Sequence, residues 1–277
     1  MAATLAFIFF QTGALWAAIY ITADDLAGTN LFGTLDPTTG QFTQIATTDP
    51  VLLGLTTGPG GKLFGADVNT GNLFTVSKSG ATAQFGTVTA PSAFYGLAYS
   101  HASGNFFADN LDSNSVTLYS VAGDAKSSSL VGQLAGPNAG FFPTGNLVFG
   151  PGGNLYFNYS SDLANGSNST LYTVNTSTGA LTAIGSGMGT DILALFYDGK
   201  NLYGVDSFVT SGIGVFQIDT VTGVATQIST VTGLPNTDSF FVDAATHSVP
   251  EMGSTATLLV LVLIVICGGQ IRIARRA

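Results

Sequence analysis

The sequence predicts an all-β fold, a β-propeller of four-stranded blades. Three observations support this prediction. The body of the chain is rich in Gly, Thr, Phe and Tyr and nearly lacks the straight-chain residues that favour helices. Two short apolar phrases recur in step five times, about every 45 residues. The last repeat leaves one apolar strand over, and the first repeat lacks one.

The chain begins with a stretch that favours export. Residues 2–10 are apolar and long enough for the hydrophobic part of a signal peptide, and Thr12-Gly13-Ala14 offers small side chains for cleavage. Lys and Arg are absent ahead of this stretch, so a first buried strand is the alternative. We expect residues 1–17 to be an export segment and residues 18–246 to be the repeat domain.

Composition limits what the repeat domain binds. It contains four lysines and no arginine, whereas the chain has sixteen acidic residues and a net charge of −9. Phosphate backbones are bound by clustered Lys or Arg, so we expect no nucleic-acid partner. The single cysteine, Cys267, lies outside this domain, which therefore has no disulfide.

Each repeat contains two apolar–aromatic phrases in which apolar and polar residues alternate, the period of a half-buried strand. The earlier phrase is found at Ile19-Tyr20, Leu63-Phe64, Phe106-Phe107, Leu155-Tyr156 and Leu202-Tyr203. The later phrase is found at Leu31-Phe32, Leu73-Phe74, Leu118-Tyr119, Leu171-Tyr172 and Val215-Phe216. Blades packed side by side need large side chains between them, so we expect these aromatic residues to be core rather than a binding platform.

A hairpin turn follows the later phrase. In Asp36-Pro37-Thr38-Thr39-Gly40, the Asp side chain can bond the turn backbone and the Gly can take a positive φ. The same pattern recurs at residues 175–179 and 219–223. A third strand then follows at residues 42–46, 82–88, 181–184 and 225–229. A fourth, more apolar strand follows at residues 52–56, 95–99, 147–149, 192–197 and 240–242.

Four short strands per unit of about 45 residues are typical of a propeller blade. Five such units predict five blades. The chain enters on residues 19–21 without an inner strand and leaves on residues 240–242 with that strand alone. We therefore expect the last strand to complete the first blade and so to remove an open sheet edge. Six or seven blades, or a β-solenoid, are the alternatives.

Catalytic groups are scarce in the repeat domain. Nucleophilic catalysis needs a base beside the nucleophile, and the usual base is histidine. His101 falls in a turn between repeats and His247 at the start of the C-terminal tail, where surface positions are the better interpretation. Glu and Arg are absent from the domain. We therefore expect no enzyme and no catalytic residue.

Aspartates are the remaining candidates for acid–base or metal chemistry. Asp109, Asp112 and Asn114 form an oxygen-rich stretch of the ligand type that calcium prefers, without the spacing of an EF-hand loop. A solvated turn is the favoured interpretation, so we expect no cofactor, with calcium as the alternative. Asp67 and Asp206 occupy equivalent places in two repeats, which strand-end capping explains, and Asp24-Asp25 is a further acidic pair.

Residues 247–277 are predicted to be a tail that addresses the protein to a membrane. Their apolar segment, residues 256–271, is shorter than the roughly twenty residues of a comfortable membrane span. The three arginines of the chain follow it, and the positive-inside bias would hold them in the cytoplasm and place the preceding domain outside. These arginines are Arg272, Arg275 and Arg276.

The tail resembles the PEP-CTERM sorting signal of bacterial surface proteins. Val249, Pro250 and Glu251 match the start of its Val-Pro-Glu-Pro pattern, and Met252 stands at the second proline. The resemblance implies an exosortase-type sorting enzyme as partner, a short C-terminal transmembrane or sorting helix, and association with exopolysaccharide. An ordinary short membrane anchor, which is not cut, is the alternative.

These features predict an exported bacterial protein of the outer surface or the extracellular matrix, anchored transiently or permanently in the inner membrane by its C-terminal segment. The expected role is non-enzymatic, in adhesion or in binding extracellular polysaccharide. The alternative is an extracellular enzyme, or a calcium-dependent binding protein, that uses aspartates at the propeller channel.

Overall fold

A computed structural model describes residues 18–24, 30–88, 94–111, 115–135, 146–159, 169–206, 212–235 and 240–247. These residues belong to a compact unit that spans Trp16 to His247. The predicted export segment and sorting tail lie outside the described residues. Within the described part of the chain, no helix is long and apolar enough to cross a membrane.

Twenty strands are described, together with two short 3-10 turns at Pro59–Gly61 and Pro151–Gly153. In chain order, the strands are β1 (Ala18–Asp24), β2 (Asn30–Leu35), β3 (Phe42–Thr48), β4 (Leu52–Thr57), β5 (Leu63–Asp67), β6 (Leu73–Val76), β7 (Thr82–Gly86), β8 (Phe94–Tyr99), β9 (Phe106–Leu111), β10 (Val116–Val121), β11 (Ser128–Ala135), β12 (Asn146–Phe149), β13 (Leu155–Tyr159), β14 (Thr170–Val174), β15 (Leu181–Ile184), β16 (Ile192–Tyr197), β17 (Leu202–Asp206), β18 (Gly214–Ile218), β19 (Ala225–Thr230) and β20 (Phe240–His247).

The strands form five four-stranded antiparallel sheets, which are the blades of a propeller. Blade 1 has the strand order β20-β1-β2-β3, and blades 2 to 5 follow as β4 to β7, β8 to β11, β12 to β15 and β16 to β19. The first strand of each blade contacts the first strand of the next blade, around a closed ring from β4 to β20 and back to β4. The prediction of a five-bladed propeller is therefore confirmed.

Strand β20 closes the ring by pairing antiparallel with β1, from Ala18 opposite His247 to Asp24 opposite Phe240. The last strand thus completes the first blade, as the phase of the repeats predicts. Strand β20 is longer than the predicted residues 240–242, because its pairing with β1 continues to Ala18, where β1 begins. His247 is the last residue of β20, one residue beyond the predicted end of the repeat domain.

Five apolar clusters form the core, and each lies between two neighbouring blades. The aromatic residues of the earlier phrase are all buried: Tyr20, Phe64, Phe107, Tyr156 and Tyr203. Those of the later phrase are buried or pack at the cluster edges: Phe32, Phe74, Tyr119, Tyr172 and Phe216. The prediction that both sets are core is confirmed. The cluster between blades 5 and 1, which includes Phe42 and Phe196, completes the ring.

The alternating strand directions give the propeller two different faces. Turns that join the first strand to the second, and the third to the fourth, all emerge on one face, which we call the turn face (residues 36–41, 58–62, 77–81, 100–105, 122–127, 150–154, 175–180, 198–201 and 219–224). The other face, which we call the loop face, carries the second-to-third connections and those between blades. Its described connections are residues 49–51, 68–72 and 185–191.

Candidate functional site

Buried polar side chains mark the loop face at the end of the second strand in blades 2 to 5. Asp67, Asp109, Asn158 and Asp206 are each at most 4% exposed. Because a buried polar group is costly unless it is hydrogen-bonded, their partners show what these side chains do. The aspartates among them are the candidates for acid–base or metal chemistry.

Asp109 and Asn158 perform the same task in blades 3 and 4. The backbone N–H of Gly96 donates to Oδ1 of Asp109, and the N–H of Asn146 donates to Oδ1 of Asn158 at 3.1 Å. Each donor lies in the first strand of its blade, directly opposite the capping residue. The Asn158 amide also donates to the Ile192 carbonyl in blade 5. These side chains therefore secure the start of the innermost strands.

Burial sets the protonation of Asp109. The loss of water around the carboxyl raises its pKa from 3.8 to about 7, and the hydrogen bond from Gly96 opposes this effect. The same region raises the pKa of Tyr95, through burial and then through the negative charge of Asp109. Perturbed carboxyls of this kind are frequent at active sites, although structural networks produce them too.

Blade 5 contains a larger polar network around Asp206. Its carboxylate accepts hydrogen bonds from the Gly214 N–H at 2.8 Å and from the Thr190 hydroxyl at 3.2 Å. Burial raises the pKa of Asp206 to about 6. Beside it, the hydroxyl of Ser169 donates to Asp191 at 2.9 Å and accepts from the Ile192 N–H at 3.0 Å. The network joins the loop-face ends of blades 4 and 5.

Asp67 caps the turn that follows its own strand. It accepts from the Asn69 N–H at 3.3 Å and from the Thr70 hydroxyl at 2.5 Å. Strand-end capping is therefore what Asp67 does in blade 2. Asp206 caps a backbone N–H as well, at the start of the next strand, β18.

The predicted calcium stretch has a different structure from the expected solvated turn. Strand β9 continues through Asp109, Asn110 and Leu111, because these residues pair with β10, and Asp109 and Asn110 are buried as a result. The other two candidates, Asp112 and Asn114, lie outside the described residues. Among the described residues, no three His, Cys, Asp or Glu side chains come together as a metal site.

Of the remaining predicted site residues, the structure describes His101 but none of the sorting or basic residues of the tail. His101 is exposed in the turn after β8, and its ring packs edge-on against Tyr99 with centroids 5.0 Å apart. The sorting residues Val249, Pro250 and Glu251 and the basic residues Arg272, Arg275 and Arg276 lie outside the described residues. Nothing described brings His101 together with the loop-face aspartates, which lie on the opposite face.

The turn face carries a feature that the sequence reasoning missed. All four lysines of the repeat domain lie there and are exposed: Lys62, Lys78, Lys126 and Lys200. Each one occupies a tight turn next to Gly, Ser or Asp, and this placement in the repeat could have indicated a common face. Lys126 pairs with Asp124 at 3.9 Å, the one ion pair among the described residues.

Two open grooves of about 640 Å³ each lie at equivalent places on the turn face. One belongs to blade 2 and is bordered by both Lys62 and Lys78. The other belongs to blade 5, where Lys200 lines the groove together with Asp219. We call them the blade 2 groove (residues 60–63, 75–78 and 81–83) and the blade 5 groove (residues 197, 200–202, 217–220, 222, 224, 226 and 228).

Comparison with known proteins supports the architecture. No protein-family model matches the chain, and no curated protein is similar to it. Among solved structures, a chain of the nidogen/laminin complex has a TM-score of 0.54 at 13% identity, covering 84% of this chain and 98% of that one. A protein of unknown function from Bacteroides thetaiotaomicron has a TM-score of 0.51 at 14% identity, covering 78% and 58%.

A third similar structure is an engineered GH43 glycoside hydrolase, with a TM-score of 0.50 at 10% identity, covering 68% of this chain and 44% of that one. This chain thus spans about half the length of the last two structures. At such low identities the likeness shows the fold alone. Propellers with this architecture include both enzymes and non-enzymes, so function has to be argued from the residues of this chain.

Proposed function

We propose that the protein is an exported, non-enzymatic binding propeller of the bacterial outer surface or extracellular matrix, and that its ligand is extracellular polysaccharide. The observation that carries the proposal is the use of the buried carboxylates. Asp67, Asp109 and Asp206 are each committed to backbone N–H groups or a neighbouring hydroxyl of the fold. Acid–base catalysis needs a carboxyl that reaches the substrate, and these side chains are occupied beneath the surface.

The exterior of the domain suits hydrogen bonding to a polar polymer. The outermost strands expose Thr, Gln and Ser side chains, as in Thr43-Gln44 of β3 and Thr226-Gln227 of β19. Support for export comes from the sequence of the tail, with its PEP-CTERM-like motif, apolar segment and basic end.

Export would bring the protein into contact with an exosortase-type enzyme and, before processing, with the inner membrane. The binding role is tested by exposing the purified protein to polysaccharide isolated from the matrix of the host. We expect sedimentation of the protein with the polymer and no decrease in polymer length over hours. Shortening of the polymer by the protein would contradict a non-enzymatic role.

The second candidate is an enzyme or a calcium-dependent binding protein that uses the loop face. It is favoured by the pKa of Asp109, which lies near neutrality, as a general acid or base requires. Calcium titration separates the two candidates, because a ligand that binds only the folded state raises the melting temperature. We expect no change with millimolar calcium. An increase of several degrees would favour the second candidate.

A further inference from the structure

The blade 2 groove combines two exposed cations with the absence of a carboxylate. Lys62 follows the Pro59–Gly61 turn and Lys78 lies in the β6–β7 hairpin, and both border the groove. Neither forms an ion pair with a described carboxylate. The two turns of this blade on the turn face, residues 58–62 and 77–81, contain no Asp or Glu. This is a local positive site on a chain with a net charge of −9.

Three residues with hydroxyl groups, Thr75, Ser77 and Thr82, line the groove beside apolar residues such as Val76 and Ala83. The Ser77 hydroxyl accepts from the Ala81 N–H at 3.0 Å and lies 2.9 Å from the Ser79 hydroxyl. The Thr75 hydroxyl donates to the Ala83 carbonyl at 3.2 Å. Opposite the hairpin, Gly60 takes a positive φ of 66°, and a side chain there would meet open space. The groove is therefore open, and two exposed lysines and three hydroxyl-bearing residues belong to its lining.

The other turns show that this combination is specific to blade 2. The equivalent blade 5 groove is lined by Lys200 and Asp219, one charge of each sign, and Asp198 lies in the same turn as Lys200. In blade 3, Lys126 pairs with Asp124 at 3.9 Å. The four-strand repeat thus provides a matched groove without an excess of positive charge in the same molecule.

We propose that the blade 2 groove is the site at which the protein binds the carboxylate groups of an acidic polysaccharide, a proposal that rests on the polysaccharide-binding function above. Two exposed ammonium groups attract the carboxylates of such a polymer. They can also donate hydrogen bonds to its uncharged sugar hydroxyls. A chain that is negative overall would meet a polyanion through this groove, because the other described turn-face lysines each have a carboxylate neighbour.

A polymer fits this groove better than a small anion does. An exposed ion pair contributes about 0 to 1 kcal/mol, too little to retain a free carboxylate. A polyuronate repeats its carboxylate along the chain, so a second contact forms at high effective concentration once the first is made. Hydroxyl oxygens of the groove lining can then accept hydrogen bonds from the sugar hydroxyls.

The test measures binding of the full chain to alginate, a polyuronate, and to dextran, an uncharged glucan. The variants are Lys62→Gln with Lys78→Gln, and Lys200→Gln as the matched control in the blade 5 groove. We expect the double variant to bind alginate about tenfold more weakly and the control to bind within about twofold of wild type. Raising the salt concentration should weaken wild-type binding, because exposed charges are screened.

The outcomes separate the site from the function. Alginate binding that is unchanged in the double variant would overturn the site and leave polysaccharide binding intact. Dextran binding as strong as alginate binding would overturn the acidic ligand. No binding to either polymer or to host matrix polysaccharide would overturn the proposed function as well. Equal, lysine-dependent binding to anionic phospholipid vesicles would replace the polysaccharide with a membrane surface. Unchanged melting temperatures of the variants confirm that folding is intact.

Discussion

Asn158 shows what the buried carboxyl of Asp109 does in the neighbouring blade. Both side chains accept a backbone N–H at the start of an innermost strand, and Asn158 also donates through its amide. A protonated carboxyl resembles an amide in having one acceptor oxygen and one donor. Asp109, with its pKa raised to about 7, is therefore a partly neutral counterpart of Asn158.

This equivalence predicts how pH affects stability. Folding raises the pKa of Asp109 from 3.8 to about 7, so between these values the folded protein holds a proton that the unfolded chain has lost. The free energy of unfolding should therefore fall as the pH rises from 4 to 7, by on the order of 3 to 4 kcal/mol from this residue. Asp206, whose pKa burial raises to about 6, should add to the fall in the same direction. Asp109→Asn should remove the part that Asp109 contributes and leave the part that Asp206 contributes. Urea denaturation at several pH values measures it.

A control comes from an exposed aspartate with the opposite shift. Backbone N–H groups of Val221 and Thr222 lower the pKa of Asp219, so its contribution is lost only as the pH falls below its ordinary range. Asp219→Asn should keep the wild-type slope between pH 4 and 7. If Asp109→Asn also kept that slope, the buried carboxyl would not be the cause.

The roles of some of these residues are predictable from the sequence, and those of others are not. Capping by Asp67 was predictable, because an Asp before Val-Asn-Thr-Gly has the pattern of a turn. Burial of Asp109 was not predictable, because Asp109-Asn110-Leu111-Asp112 has the composition of a solvated loop. Asp109 is buried because β9 pairs with β10 as far as Leu111, and that pairing depends on the whole blade.

At the scale of the elements, the third-to-fourth-strand hairpins also join the blades. The turn residue with positive φ lies against the outer strand of the preceding blade in every case. The pairs are Gly40 with Thr230, Gly80 with Ala46, Ala125 with Gly86, Gly179 with Gly132 and Gly223 with Ile184. Ala125, with a φ of 54°, is the one non-glycine residue with positive φ among the described residues. The pattern explains why a turn glycine recurs: it allows both the backbone conformation and the close approach.

Two glycine substitutions separate the effect of the positive φ from the effect of the close approach to the preceding blade. A methyl group on Gly223 would overlap the carbonyl of Ile184, whereas one on Gly152 would meet nothing, and both residues have φ between 70° and 80°. Gly152→Ala should cost about 1 to 2 kcal/mol for the left-handed conformation alone. Gly223→Ala should cost about 1 to 3 kcal/mol more for the displaced neighbour. Urea denaturation of both variants measures the difference, and equal losses would mean that the hairpin contact contributes nothing.

The outer strands contain bulges that the sequence does not indicate. In blades 1, 2, 3 and 5, one extra residue bulges beside the aromatic of the later phrase: Ile45, Phe85, Val131 and Ile228. Bulges twist an edge strand and discourage pairing with another molecule. An extra residue shifts the phase of the apolar–polar alternation, but the outer strands are mostly exposed and show too little alternation for the shift to be recognised. The outer strand β11 was itself missed, because its turn has Ala125 in place of the expected Gly.

At the scale of the whole molecule, circular closure was predictable from the phase of the repeats alone. A second set of contacts also closes the ring, and the sequence does not predict it. The hairpin of blade 1 bonds the chain after β19, where the Phe42 N–H donates to the Thr232 carbonyl at 2.8 Å and the Thr232 N–H donates to the Gly40 carbonyl at 2.9 Å. These contacts join residues almost two hundred positions apart, which only the closed ring brings together.

The distribution of the lysines and of the buried aspartates follows from topology as well. Because turns of one kind share a face, four lysines that are far apart in sequence lie on the turn face, together with Asp36, Asp124, Asp198 and Asp219. Asp67, Asp109 and Asp206 lie near the strand ends of the loop face, where they are buried and support the architecture. Of the lysines, Lys62 and Lys78 have no carboxylate in their own turns. This division underlies the proposal of a non-enzymatic binding propeller.

The central claim, that this propeller is sorted to the cell surface and serves there as a binding module, is tested most directly in the native host. The measurement is mass spectrometry of the mature protein in separated surface, matrix and cytoplasmic fractions. We predict that the protein is recovered from the surface or matrix fraction with a C-terminus shortly after Glu251. Recovery from the cytoplasm with Arg276 intact would contradict the account.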